Sequence, residues 1–131
     1  MASKKLLIVT AVIETATALM LLASPTWVVA LLLGASLEAP AALVAARIAG
    51  AALLALGCAC WLARNGGVTP AVRGLVVAML VYNGVTVAIL ANAAIEARLA
   101  GVLTWPTVAL HVALAVWCIS CLVFCKWNGK W

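Results

Sequence analysis

The chain reads as an all-α membrane protein, a bundle of four transmembrane helices with both termini on the cytoplasmic side. Three observations lead there. Hydrophobic residues fill 69% of the 131 positions and charged residues 8%, and a mean hydropathy of +1.29 leaves too little polar surface for a water-soluble fold. Four apolar stretches of about 20 residues, the length that crosses a hydrocarbon core, follow one another with short polar breaks. The Lys and Arg residues sort to one set of stretch ends. These spans use almost the whole length, so a single domain is expected over residues 1–131. Any chemistry then belongs inside the bundle or in short loops. The net charge of +5 is spread singly or in pairs at span ends, which signals topology rather than a nucleic-acid surface.

The first span is expected over about 6–23, after Lys4 and Lys5, and breaks at Ser24-Pro25 because proline cannot continue the helical hydrogen-bond ladder. Glu14 splits its apolar run, so this segment reads as a retained span rather than a cleaved signal. Residues 26–34 are apolar but short, either an extra turn of helix or an interfacial segment. The second span is expected over 41–63 and stops at Arg64-Asn65-Gly66-Gly67, a run of turn formers. Pro70 suits the first turn of the next helix. The third span, about 74–95, is interrupted by Tyr82, Asn83, Thr86 and Asn92; the fourth, about 105–125, starts at Trp105-Pro106 and precedes a basic, aromatic tail.

Lys4, Lys5, Arg64, Arg73, Lys126 and Lys130 fall at one side and Arg98, with Glu38 and Glu96, at the other. Basic residues beside a span resist translocation, which places both termini in the cytoplasm. Trp61, Trp127 and Trp131 then lie at the inner interface and Trp27 and Trp105 at the outer one, as indole rings prefer.

Only Glu14 and Arg47 carry charge inside the spans. A charge at bilayer depth costs roughly 2.5–3.5 kcal/mol on insertion scales, so each is expected to face a partner, a cavity or a pathway. With 1.5 Å of rise per residue, Glu14 lies roughly 15 Å and Arg47 roughly 9 Å below the outer ends of their spans, a gap that an arginine side chain bridges. His111 falls near the Arg47 level, and Asn83 and Thr86 near the Glu14 level. Glu14, Arg47, Asn83, Thr86 and His111 therefore form the expected intramembrane polar layer. Thr10 and Thr17 share the Glu14 face, and Gly50 and Gly57 the Arg47 face, where small residues admit a neighbouring helix. Three readings stay open. The layer is a satisfied core built on a Glu14–Arg47 ion pair, a site where Glu14 exchanges a proton, cation or polar ligand, or a contact with another subunit.

His111 is the only histidine, so one chain cannot build a bis-histidine haem or multi-histidine zinc site. Cys58, Cys60, Cys118, Cys121 and Cys125 gather toward the cytoplasmic leaflet, a reducing side that favours thiols. No metal is expected, and no phosphate loop, nucleophile elbow, metalloprotease helix or dinucleotide fingerprint is present.

Glu14 in the first helix, the stretch Pro25-Thr-Trp-Val-Val-Ala-Leu-Leu-Leu-Gly34, and Arg47-Ile-Ala-Gly50 leading to Leu56-Gly57-Cys-Ala-Cys-Trp61-Leu-Ala-Arg64 resemble uncharacterised small four-span bacterial inner-membrane proteins. The resemblance covers the first half best and implies a four-helix fold in the bacterial cytoplasmic membrane. A glutamate at this place in a first helix is also similar to the small multidrug resistance transporters, whose carboxylate alternates between a proton and a cationic drug. The chain differs from them in Arg47 and in a charge bias that opposes antiparallel pairing. The reading reached is a non-enzymatic accessory or scaffold subunit packed against other membrane protein subunits and lipid. The runner-up is a small proton-coupled transporter or channel using Glu14. A binder of lipid, quinone or pigment between the helices is the third reading, with no cofactor otherwise expected.

Overall fold

The computed structural model describes residues 2–125, and the expectations that fall on Lys126, Trp127, Lys130 and Trp131 lie outside them. Among the described residues there are five helices and no strands: α1 (Ala2–Ala23), α2 (Pro25–Leu33), α3 (Pro40–Ala63), α4 (Pro70–Ile95) and α5 (Thr104–Phe124). The four long ones are apolar and long enough to cross a membrane. They match the four expected spans. The third starts four residues earlier than expected. Pro70 occupies the first turn, where its missing N–H is no loss, and the Thr69 hydroxyl accepts the Val72 N–H at 3.4 Å. The fourth ends one residue sooner, since Cys125 turns extended at ψ 128°.

Residues 26–34 belong to a helix of their own. Pro25 disfavours helical backbone in the residue before it, and Ser24 leaves the helix at φ −141°, ψ 64°. Hydrogen bonds still run through the break, from Ser24 N–H to Met20 at 2.8 Å and from Val28 N–H to the Ser24 carbonyl at 3.3 Å. The helix thus bends rather than ends. α2 stops at Gly34, whose left-handed φ of 67° closes it with an N–H bond to Ala30.

The carbonyls left free at the end of α2 are taken by the α4–α5 connection. Leu103 N–H reaches Leu31 at 2.9 Å, Gly101 N–H reaches Leu32 at 3.1 Å, and the Thr104 hydroxyl also donates to Leu32. Gly101 is required there because a Cβ would overlap the Leu31 carbonyl. This clamp joins α2 to the mouth of the α4–α5 hairpin.

Two close pairs make the bundle, α1 with α3 and α4 with α5, and α1 also touches α5. The α1–α3 seam is built from small residues seven apart on both helices. Gly57 lies against Thr15 and Ala11, and Gly50 against Ala18 and Leu21, so close that a Cβ on Gly57 would come within 2.5 Å of the Thr15 hydroxyl. Without a hydrophobic effect between helices in lipid, such close backbone approach is what holds them together. Leu6, Leu7, Ala11, Cys60, Val76, Met79, Leu114, Cys118 and Cys121 fill the core at the end of the bundle that holds the start of α1. There the Cys60 thiol approaches the Met79 sulfur at 3.7 Å, linking α3 to α4. α1 is the central helix. About 39% of its apolar window is buried within the chain, against 17–22% for α3, α4 and α5.

A buried polar layer as the candidate functional site

The polar side chains enclosed at mid-bundle come from α1, α4 and α5. Glu14 is 2% exposed, Asn83 is fully buried and His111 is 7% exposed. Tyr82, half-buried beside Asn83 on α4, donates its phenolic O–H to Glu14 Oε2 at 3.3 Å. The same ring meets His111 edge to face, with centroids 5.6 Å apart and planes at 79°. His111 Nδ1 lies 2.7 Å from Asn83 Oδ1, and Asn83 Nδ2 donates to the Met79 carbonyl at 2.7 Å. An amide oxygen only accepts, so His111 carries its proton on Nδ1 and leaves Nε2 as an acceptor when neutral. The result is a continuous chain of contacts from Glu14 through Tyr82 and His111 to Asn83, two hydrogen bonds joined by one ring contact.

Two oxygens in this layer, Glu14 Oε1 and Thr10 Oγ1, have no hydrogen-bond partner among the described residues; both are buried and they lie one helical turn apart on α1. A buried acceptor left unmatched costs about 1–3 kcal/mol, and more if charged. Such orphans mark a place where a proton, a water or a small cation would be stabilised.

Arg47 does not join the layer, which corrects the expected Glu14–Arg47 ion pair. It is exposed on α3, and the hydrogen bond that Glu14 makes is to Tyr82. The cause is register. Gly57 sits opposite Ala11 and Thr15, and Gly50 opposite Ala18 and Leu21, which sets position 47 opposite the end of α1, about 13 Å above Glu14 at 1.5 Å per residue. The first turns of α3 rise past α1 to flank α2, whereas depths counted from span ends assume that the ends are level. The glycine seam also leaves no room for a guanidinium between the two helices.

Thr86 is half-buried one turn beyond Tyr82 on α4. Tyr82 is the member that depth counting passes over, although it is the chain's only tyrosine and directly precedes Asn83 in an aliphatic span. Cys60, Cys118 and Cys121 are buried, Cys58 is exposed and Cys125 half-buried, with no disulfide among them. Among the described residues no three His, Cys, Asp or Glu side chains converge on a point where a metal would bind.

Fold and site together define an all-α integral membrane protein with a buried acidic layer. No known family, curated protein or solved structure matches the chain.

Proposed function

We propose that this protein is a small proton-coupled carrier or channel in which Glu14 is the group that gains and loses the proton. One observation carries the reading: a carboxyl group 2% exposed, with a single hydrogen-bond donor, one orphaned oxygen and, among the described residues, no cation paired with it. An ionised carboxylate enclosed in this way is strongly disfavoured unless a proton or cation arrives with it. The Tyr82 hydroxyl orients the carboxyl, and the orphaned Thr10 hydroxyl one turn below supplies a further site for the transferred species. Glu14, Asn83 and His111 are enclosed in this conformation, so exchange at the carboxyl requires α4 and α5 to move from α1. The Tyr82–Glu14 hydrogen bond, rather than a seam of small residues, joins α4 to α1.

The test is proton flux into liposomes followed by an internal pH dye, together with the infrared C=O band of a protonated carboxyl as pH is cycled. Wild type is expected to show flux and a band that responds to pH, and Glu14→Gln to lack both. Absence of flux and of the band in the wild-type protein removes the reading.

A second reading, an accessory or scaffold subunit, is favoured by Arg47. It is exposed about 10 Å inside α3 by helical rise, where an acidic group on another subunit would meet it. Purification in mild detergent tests this. A stoichiometric partner that dissociates on Arg47→Ala supports the reading, and a homogeneous protein free of partners contradicts it. The bacterial cytoplasmic membrane, with both termini inside, is the setting that we propose for either role.

A further inference from the structure

We infer that the seam between α1 and α3 is a binding site for one anionic phospholipid, its acyl chain in an apolar groove and its phosphate between Lys4 and Arg64. The groove has a volume of about 580 Å³ and is walled by Val12, Ala16 and Leu19 of α1 and by Cys58, Trp61 and Leu62 of α3. Its floor is the Gly57–Ala11 contact, where the missing side chains leave the space. Nothing polar faces it except Thr15, so the occupant is a hydrocarbon chain.

A second cavity of about 260 Å³ lies along the same seam at the end of the bundle where α1 begins. It is lined by Ser3, Lys4, Arg64 and Asn65, with Leu7 below. Trp61 connects the two. Its indole forms a wall of the apolar groove, and the Arg64 guanidinium lies 3.9 Å from its ring centroid while donating to the Trp61 carbonyl. That arrangement fixes a cation at the mouth of the groove.

Charge selects the occupant. The chain has three acidic residues in all. Glu14 is enclosed at mid-bundle, while Glu38 and Glu96 lie in the connections at the opposite end. Lys4 and Arg64 therefore have no carboxylate side chain of this protein to neutralise them, and a phosphodiester supplies the missing charge with acceptors for both. Distance agrees. Ala11 lies about 10 Å and Leu19 about 22 Å from Lys4 along the helix, so the part of the groove nearer Lys4 falls within one leaflet's hydrocarbon, about 15 Å deep below the headgroup.

The experiment is native mass spectrometry of the full chain from nanodiscs of equal phosphatidylglycerol and phosphatidylcholine with matched acyl chains. One retained phosphatidylglycerol is expected, preferred over phosphatidylcholine. Lys4→Gln and Arg64→Gln should each lower that preference about fivefold, the effect of one basic residue near an anionic surface. Arg73→Gln, an equal charge change on α4, should leave it unchanged. Ala16→Trp, at an exposed position lining the groove, fills it without touching the basic residues and should abolish retention. Equal retention of the two lipids, a preference that survives Ala16→Trp, or an effect of Arg73→Gln as large as that of Arg64→Gln overturns the proposal. A dimer that protects the groove in place of lipid also overturns it.

Discussion

At the scale of single residues, the protein encloses a carboxyl group whose one hydrogen bond comes from a neutral phenol. The consequence for stability is opposite to that of an ion pair. Had Glu14 been neutralised by Arg47, Glu14→Gln would leave a buried cation behind and lower the melting temperature. With Tyr82 as the partner, a glutamine oxygen still accepts the phenolic O–H and no buried charge is left behind. Glu14→Gln is therefore expected to melt in detergent at or above the wild-type temperature. A melting temperature several degrees lower would contradict the geometry. Tyr82→Phe deletes the donor, and His111→Ala leaves Asn83 Oδ1 unmatched in the core. Each is expected to lower stability by about 0.6 kcal/mol and by no more than about 1.7 kcal/mol, the average and the maximum for side-chain hydrogen bonds between membrane helices, as read by unfolding in denaturing detergent. The sequence shows that polar groups exist at mid-span, because each interrupts an aliphatic run. It does not show which of them meet, since that depends on register and rotation. Asn83 and His111 lie within hydrogen-bond reach, although depth counting put them at different levels.

At the scale of elements, glycine positions determine how the helices sit. Gly57 lets α1 and α3 touch at backbone distance, while a Cβ on Gly84 of α4 would meet nothing within 4 Å. Gly57→Leu should destabilise the fold by about 1–3 kcal/mol, as overpacking does. Gly84→Ala should be neutral or stabilising by up to about 1 kcal/mol, from helix propensity alone. Comparable losses from both substitutions would mean that the seam is not where the glycines place it. The long helices are legible because composition and length suffice to define them, and Pro40, Pro70 and the Arg64–Gly67 run mark their ends. α2 is less legible. Nine residues are too few to declare a span, and what holds them is the clamp from Gly101, Leu103 and Thr104, a contact about 70 residues away in sequence that no local pattern announces. Thr104→Val, which keeps the shape and removes the hydroxyl, should loosen that clamp and raise amide exchange in Leu99–Leu103 without unfolding the bundle.

At the scale of the whole molecule, charge is arranged along the bundle axis. Lys4, Lys5, Arg64 and Arg73 lie at the end where α1 starts, and Glu38, Glu96 and Arg98 at the other. If basic residues stay with the cytoplasm, a cysteine at position 2 should resist a membrane-impermeant maleimide in intact cells and one at position 100 should react; reversed labelling would invert the proposed topology. This axis and the four-helix class can be read from composition. The offset between α1 and α3 that separates Glu14 from Arg47 cannot, because it is set by where two glycines on one helix find two alanines on the other. That offset decides whether the enclosed acid is an architectural ion pair or a site for an exchangeable proton. A pair of double-mutant cycles tests it most directly, with unfolding free energies measured for Glu14→Leu, which removes the acceptor at similar volume, combined with Tyr82→Phe and with Arg47→Gln. The geometry predicts a coupling of about 0.6–1.7 kcal/mol between positions 14 and 82 and none between 14 and 47. A coupling confined to 14 and 47 would contradict it.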